Sequence, residues 1–169
     1  MAVRAIVGQQ ISVKSATTLM GKIANTYGQK TDMGRVFPDA NDLFQVDVTQ
    51  LSMPVKKAQA IKDMSQAVVD GSVDFTVGND PANLMHQLQN IKGIGPWTAQ
   101  YIAMRALGDS DAFLEGDLVL AKVAKRCLGI QCNKELTERS KEWQPYRAYA
   151  CMHLWRQAAQ LNDVPKNAG

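Results

Sequence analysis

Leu88-Gln89-Asn90-Ile91-Lys92-Gly93-Ile94-Gly95-Pro96-Trp97-Thr98-Ala99 is the stretch on which the fold reading turns. Two glycines flank one apolar residue between two segments of helical spacing, so the chain doubles back in a tight hairpin. Glycine there allows backbone conformations closed to other residues and lets a phosphate come close to the chain. Amides of the hairpin and of the next helix's first turn point outward, where the helix dipole also favours an anion. Carbonyls on the other side of such a turn can converge on a cation. A hairpin alone supports phosphate binding without regard to base sequence. The plainer reading is a corner between two helices with glycines at a cap.

The flanking sequence is helical in the same way. Val13, Ala16, Met20, Ile23, Ala24 and Tyr27 follow three-to-four spacing behind an N-cap at Ser12 and ahead of a stop at Gly28. A second stripe, Val55, Ala58, Ile61, Val68 and Val69, ends at Gly71. Asp80-Pro81 opens a helix through Leu84, Met85 and Leu88, and Pro96 opens one through Ala99, Ala103 and Leu107. Asp117 begins another, with Leu120, Ala121, Ala124 and Leu128 inward. Asn133 caps a short helix and Pro145 opens the last, through Tyr149, Met152 and Trp155. No alternating stretch is long enough to compete as a strand, so the fold class is all-α. A polar turn, Gly108-Asp109-Ser110-Asp111, divides the chain into lobes at 1–108 and 109–169, the first containing the hairpin over 88–99.

Composition sets the outer bounds. The chain has 169 residues, 46% apolar and 21% charged, which is enough to bury a core without disulfides or metal. Apolar runs fall short of a bilayer span, and the start Met1-Ala2-Val3-Arg4 lacks a signal peptide's apolar core, so a cytoplasmic setting is expected. A net charge of +3 permits a polyanionic partner without demanding one. Cys127, Cys132 and Cys151 fit neither a zinc ribbon nor a four-thiolate iron–sulfur cluster, and read as small buried hydrophobes. His86 reads as solvent-facing and His153 as a packing or hydrogen-bonding residue. Ser12 and Ser15 have no inferable base, so nucleophilic hydrolase chemistry has no support.

Asp117 follows Gly116 at a helix start, where an aspartate has an everyday task as N-cap. Several segments in fixed order give it a second meaning. They are Ala2 to Ser12, Leu51 to Ala58, the hairpin with Trp97-Thr98-Ala99, Phe113-Leu114-Glu115-Gly116-Asp117, and Trp143 to Ala150 with His153-Leu154-Trp155. With them the chain resembles the helix-hairpin-helix DNA glycosylase superfamily, and most closely its bacterial 3-methyladenine DNA glycosylase II type. The resemblance implies two helical lobes with a cleft between them, and a DNA-repair enzyme that flips an alkylated purine out of duplex DNA and hydrolyses its N-glycosidic bond. It places this chain in the bacterial nucleoid.

Residue by residue, the resemblance makes Asp117 the catalytic carboxylate that stabilises positive charge on the sugar or orients the attacking water. It makes Trp97, Tyr101 and Trp155 the walls of the base pocket, where flat aromatic faces suit a cationic purine. Gln9, Gln10, Lys92, Gly93, Ile94, Gly95 and Thr98 form the DNA-contacting set, with Gln10 at the place of the wedge that fills the hole left by the base. The backbone carbonyls of Gln89, Ile91 and Gly93 are implied ligands for a monovalent cation, Na+ or K+; no other cofactor and no iron–sulfur cluster is expected. Relatives that also nick the strand carry a lysine where this chain has Trp97, so a monofunctional enzyme is implied. Family members carry a further segment ahead of the Ala2-Val3-Arg4 match, so the chain reads as lacking that N-terminal part, with its second lobe incomplete. Gly116 stands where close relatives can have a second acid. The rival readings are a non-catalytic DNA-binding fragment and a helical protein with no nucleic-acid partner.

Overall fold

A computed structural model of the chain describes residues 1–76 and 78–163, and these form two compact units divided between Leu107 and Gly108. In the first unit α1 spans Ala2–Gly8, α2 Val13–Tyr27, α3 Ala40–Phe44, α4 Val55–Val69, α5 Pro81–Gln89 and α6 Pro96–Ile102. The chain continues past α6 as a wider π-helical turn, Ala103–Leu107. In the second unit α7 spans Leu118–Leu128, α8 Asn133–Ser140 and α9 Arg147–Asp163.

Side-chain caps set the start of α2, α3, α5 and α7. The Ser12 hydroxyl accepts the Ser15 amide at 3.1 Å, and Asp80 accepts from Ala82 at 3.1 Å ahead of Pro81. Gly129 closes α7 in the left-handed region at φ 72°. The core of the first unit is built around Ile6, Ile61, Leu84, Leu88 and Ile102, all fully buried. Leu114, Leu120, Val123, Ala124, Leu136 and Cys151 are the buried side chains around which α7 to α9 pack.

Some sequence expectations are corrected. Val13 is 75% exposed because the packed stripe of α2 begins one turn later, at Ala16, and Leu128 is 49% exposed while Val123 takes the inward place on α7. Asn133 is inside α8 rather than its cap: Cys132 precedes the helix in extended conformation, and the Glu135 carboxylate reaches back to accept the Gln131 amide at 2.8 Å. The last helix starts at Arg147, because the Tyr146 amide donates to the Trp143 carbonyl at 2.7 Å and closes a turn around Pro145 first. A two-residue hairpin, β1 Lys30–Thr31 with β2 Gly34–Arg35, pairs antiparallel. Cys127 and Cys132 are exposed, leaving Cys151 as the buried thiol, and His153 is exposed, as His86 is.

In the second unit Arg147 grips Asp111 with two parallel bonds, Nε to Oδ1 at 2.8 Å and a terminal nitrogen to Oδ2 at 2.6 Å. The bonded guanidinium holds the Asp111 carboxyl below its ordinary value. A carboxyl depressed in the folded state stabilises fully above the unfolded value of about 3.9 and loses that contribution as pH falls through the folded value. Arg147→Gln is therefore expected to cost about 1–2 kcal/mol at neutral pH, and to flatten the loss of stability on acidification below about pH 4. Urea midpoints at pH 7 and pH 3 for both proteins check this; an equal deficit at the two pH values goes against it.

Candidate functional site

The hairpin lies between α5 and α6. Its turn is closed by the Ile94 amide donating to the Ile91 carbonyl at 3.0 Å. Ile91 and Ile94 are buried beneath it, at 9% and 4% exposure, so these two apolar side chains anchor the turn on the core. Gly93 has φ 97°, and a Cβ there would lie 3.1 Å from the Ala60 Cβ of α4. Gly95 has an ordinary φ of −88° and stands as N-cap of α6, which has no side-chain cap.

These placements divide the expected DNA-contacting set. Lys92, Gly93, Gly95 and Gln10 are exposed. The Ile94 amide is used within the turn, and Thr98 is 4% exposed with its hydroxyl accepting the Gln9 side-chain amide at 3.0 Å. That same Gln9 amide donates to the Gly93 carbonyl at 3.0 Å, so Gln9 reaches inward and joins the end of α1 to the hairpin. Gln10, the next residue, is held at φ 57°, an uncommon conformation for a side chain other than glycine.

The carbonyls of Gln89, Ile91 and Gly93 lie along this turn. Two of them are already acceptors, Ile91 from Ile94 and Gly93 from Gln9, each with a second lone pair remaining. Neutral carbonyl oxygens without a carboxylate suit a singly charged cation better than a divalent one.

On α6 the rings of Trp97 and Tyr101, four residues apart, stack at 5.4 Å between centroids and 11° between planes. Both are half-buried. A separate groove of about 410 Å³, lined by Met1, Phe37, Leu43, Met64, Val68 and Phe75 among others, includes none of the expected site residues.

In the second unit Asp117 is N-cap of α7. Its Oδ1 accepts the amides of Val119 at 2.9 Å and Leu120 at 2.8 Å, and the Trp155 indole N–H of α9 at 3.4 Å. Gly116, at φ 78°, makes the turn into the helix, and the Asp117 amide donates to the Leu114 carbonyl at 3.1 Å. Three donors converging on one oxygen fix the plane of the carboxylate. The structure thus brings two expected residues, Asp117 and Trp155, into contact. The role of Trp155 as a donor to the carboxylate is one that spacing could not reveal.

Sequence reasoning also missed Lys57 on α4. Its ammonium donates to the Val7 carbonyl at 3.2 Å and to the Gln9 carbonyl. Burial lowers its pKa from the ordinary lysine value. The available signal was its place directly before Ala58 and Ile61, the buried stripe of its helix.

Residues 3–145 match the family model described as HhH-GPD superfamily base excision DNA repair protein. The chain is 38% identical over 160 residues to the probable bifunctional transcriptional activator/DNA repair enzyme AlkA of Mycobacterium tuberculosis, covering 91% of this chain and 32% of that protein. To DNA-3-methyladenine glycosylase 2 of Escherichia coli K12 it is 33% identical over 159 residues, 90% of this chain and 55% of the relative. The crystal structure of DNA-3-methyladenine glycosidase from Bacillus halodurans is similar with a TM-score of 0.76 at 30% identity, over 96% of this chain and 76% of that one. The chain thus spans 32% to 55% of the length of these curated relatives.

Proposed function

Because the chain belongs to the HhH-GPD superfamily of base excision DNA repair proteins, we propose that it removes alkylated purines of the 3-methyladenine type from duplex DNA by base flipping. The observation that carries this reading is the Asp117 carboxylate, held through one oxygen by two backbone amides and the Trp155 indole.

Cleavage of the N-glycosidic bond develops positive charge on the sugar. A carboxylate whose orientation is fixed before the reaction stabilises that charge without reorganising, and can orient the attacking water. A base methylated at a ring nitrogen already carries positive charge and leaves with little help from a general acid. Trp97, Tyr101 and Trp155 supply aromatic faces suited to such a base. Trp97 also stands where strand-nicking relatives place a lysine, and indole forms no Schiff base, so the reaction proposed is base removal alone.

DNA is held through the exposed hairpin residues Lys92, Gly93 and Gly95, with Gln10 as the side chain that enters the stack. The carbonyls of Gln89, Ile91 and Gly93 are the proposed ligands of a Na+ or K+ ion, which supplies positive charge beside a phosphate when bound. Hydrolysis of this kind calls for no redox group and no iron–sulfur cluster. Among the described residues no helix is long and apolar enough to cross a membrane, and we place the protein on the nucleoid of a bacterial cytoplasm.

The test is incubation with N-methylated duplex DNA. The expected result is free methylated base in solution, an intact strand until alkali is added, and no covalent adduct on borohydride reduction. Binding that weakens by about 0.9 decade per decade of salt for each phosphate neutralised, with no base released, would instead leave a DNA-binding module.

A further inference from the structure

At the end of α1 the Ile6 carbonyl accepts the Gln9 amide at 3.3 Å and the Gly8 carbonyl accepts the Ile11 amide at 3.4 Å, which leaves the Val7 carbonyl to another donor. The C-cap, Gln9, lies at φ −55°, ψ 124°, with no glycine turning the chain into the left-handed region there. The Lys57 ammonium takes that place, donating to the Val7 and Gln9 carbonyls from a helix 50 residues further along the chain. A cation also suits the negative end of the α1 dipole. The Gln9 carbonyl belongs to the peptide that leads into Gln10, so a donor fixed on it sets the plane from which Gln10 takes its φ of 57°. On its other side Gln9 donates to the Gly93 carbonyl and the Thr98 hydroxyl.

We infer that Lys57 is a positioning residue: by clamping the Gln9–Gln10 peptide, and through Gln9 the hairpin, it makes the phosphate-binding turn and the Gln10 side chain one rigid element, so that gripping the backbone also aims Gln10 into the stack. The inference rests on the proposed base flipping for its consequence, but the clamp itself is a property of the free protein.

Lys57→Met keeps the apolar stem and removes the donor; Lys57→Arg restores a donor and a charge. In the free protein, amide hydrogen exchange over residues 8–12 is expected to rise about tenfold in Lys57→Met, to return most of the way in Lys57→Arg, and to change little over α5. On methylated duplex DNA, Lys57→Met is expected to lower the single-turnover rate of base release about tenfold while affinity for undamaged duplex changes by less than about threefold. Because Lys57 acts through Gln10, adding Gln10→Ala should cost little more than the larger single effect. Unchanged exchange over residues 8–12 overturns the clamp whether or not the parent releases base. Additive losses in the cycle overturn its link to Gln10. A parent with no base release but with the exchange difference present refutes the glycosylase reading and leaves the clamp standing.

Discussion

Asp117→Asn is expected to leave the protein folded and to lower base release by about 10²–10³-fold, the usual cost of removing one electrostatic stabiliser of a transition state. The substitution is chosen to separate two tasks that one residue performs. As N-cap, the Asp117 Oδ1 satisfies the Val119 and Leu120 amides, which otherwise have no intrahelical acceptor. Asparagine caps about as well as aspartate, and its carbonyl oxygen can accept the same amides and the Trp155 N–H. What it lacks is the negative charge. Asp117→Ala loses both, and should add about 1 kcal/mol of instability to the activity loss. The measurements are thermal or urea stability of the three proteins beside free-base release in single turnover. An Asn variant as active as the parent reduces Asp117 to a helix cap, and an Asn variant as unstable as the Ala variant undoes the separation.

What was legible in the sequence follows from how local the determining interactions are. Ser12 before α2, Asp80-Pro81 before α5 and Asp117 before α7 act within a few residues of themselves, and each stands where the spacing put it. α3 went unseen because five residues are too short to display a period, although Asp39 and Asp42 form a reciprocal capping box there. The Lys30–Arg35 hairpin hides for the same reason. The site was legible as residue types in order and not as contacts. The resemblance gives Gln9 a place in the DNA-contacting set but not the reach of its amide across 84 positions to Gly93, and gives Trp155 a place in the pocket wall but not the reach of its N–H across 38 positions to Asp117. Such pairs depend on packing between elements, which no local spacing encodes.

The same difference separates the two hairpin glycines, which look equivalent as Gly93-Ile94-Gly95. Gly93→Ala is expected to cost about 2–4 kcal/mol: about 1–2 for an L-residue on the left-handed side at φ 97°, and about 1 more if the peptide turns and the Gly93 carbonyl loses the Gln9 amide. Any remainder comes from the Ala60 methyl, which must give way to a Cβ 3.1 Å from it. DNA affinity should fall about tenfold with it, because the same turn carries the exposed amides and Lys92. Gly95→Ala is the control. At φ −88° with open space around its Cβ, it should change stability by no more than about 0.5 kcal/mol. Any loss of binding it causes therefore reports a methyl group between the backbone and a phosphate rather than a broken turn. Ala60→Gly alone should cost about 1 kcal/mol as a glycine inside α4; measured against that single variant, adding it to Gly93→Ala should recover the steric part of the deficit and leave the conformational part, because a smaller neighbour makes room but does not change φ. Urea midpoints for the four variants, followed by affinity for undamaged duplex across a salt series, distinguish these contributions. Equal destabilisation by Ala at 93 and at 95 would mean that neither the left-handed backbone nor the approach of α4 dictates glycine at position 93.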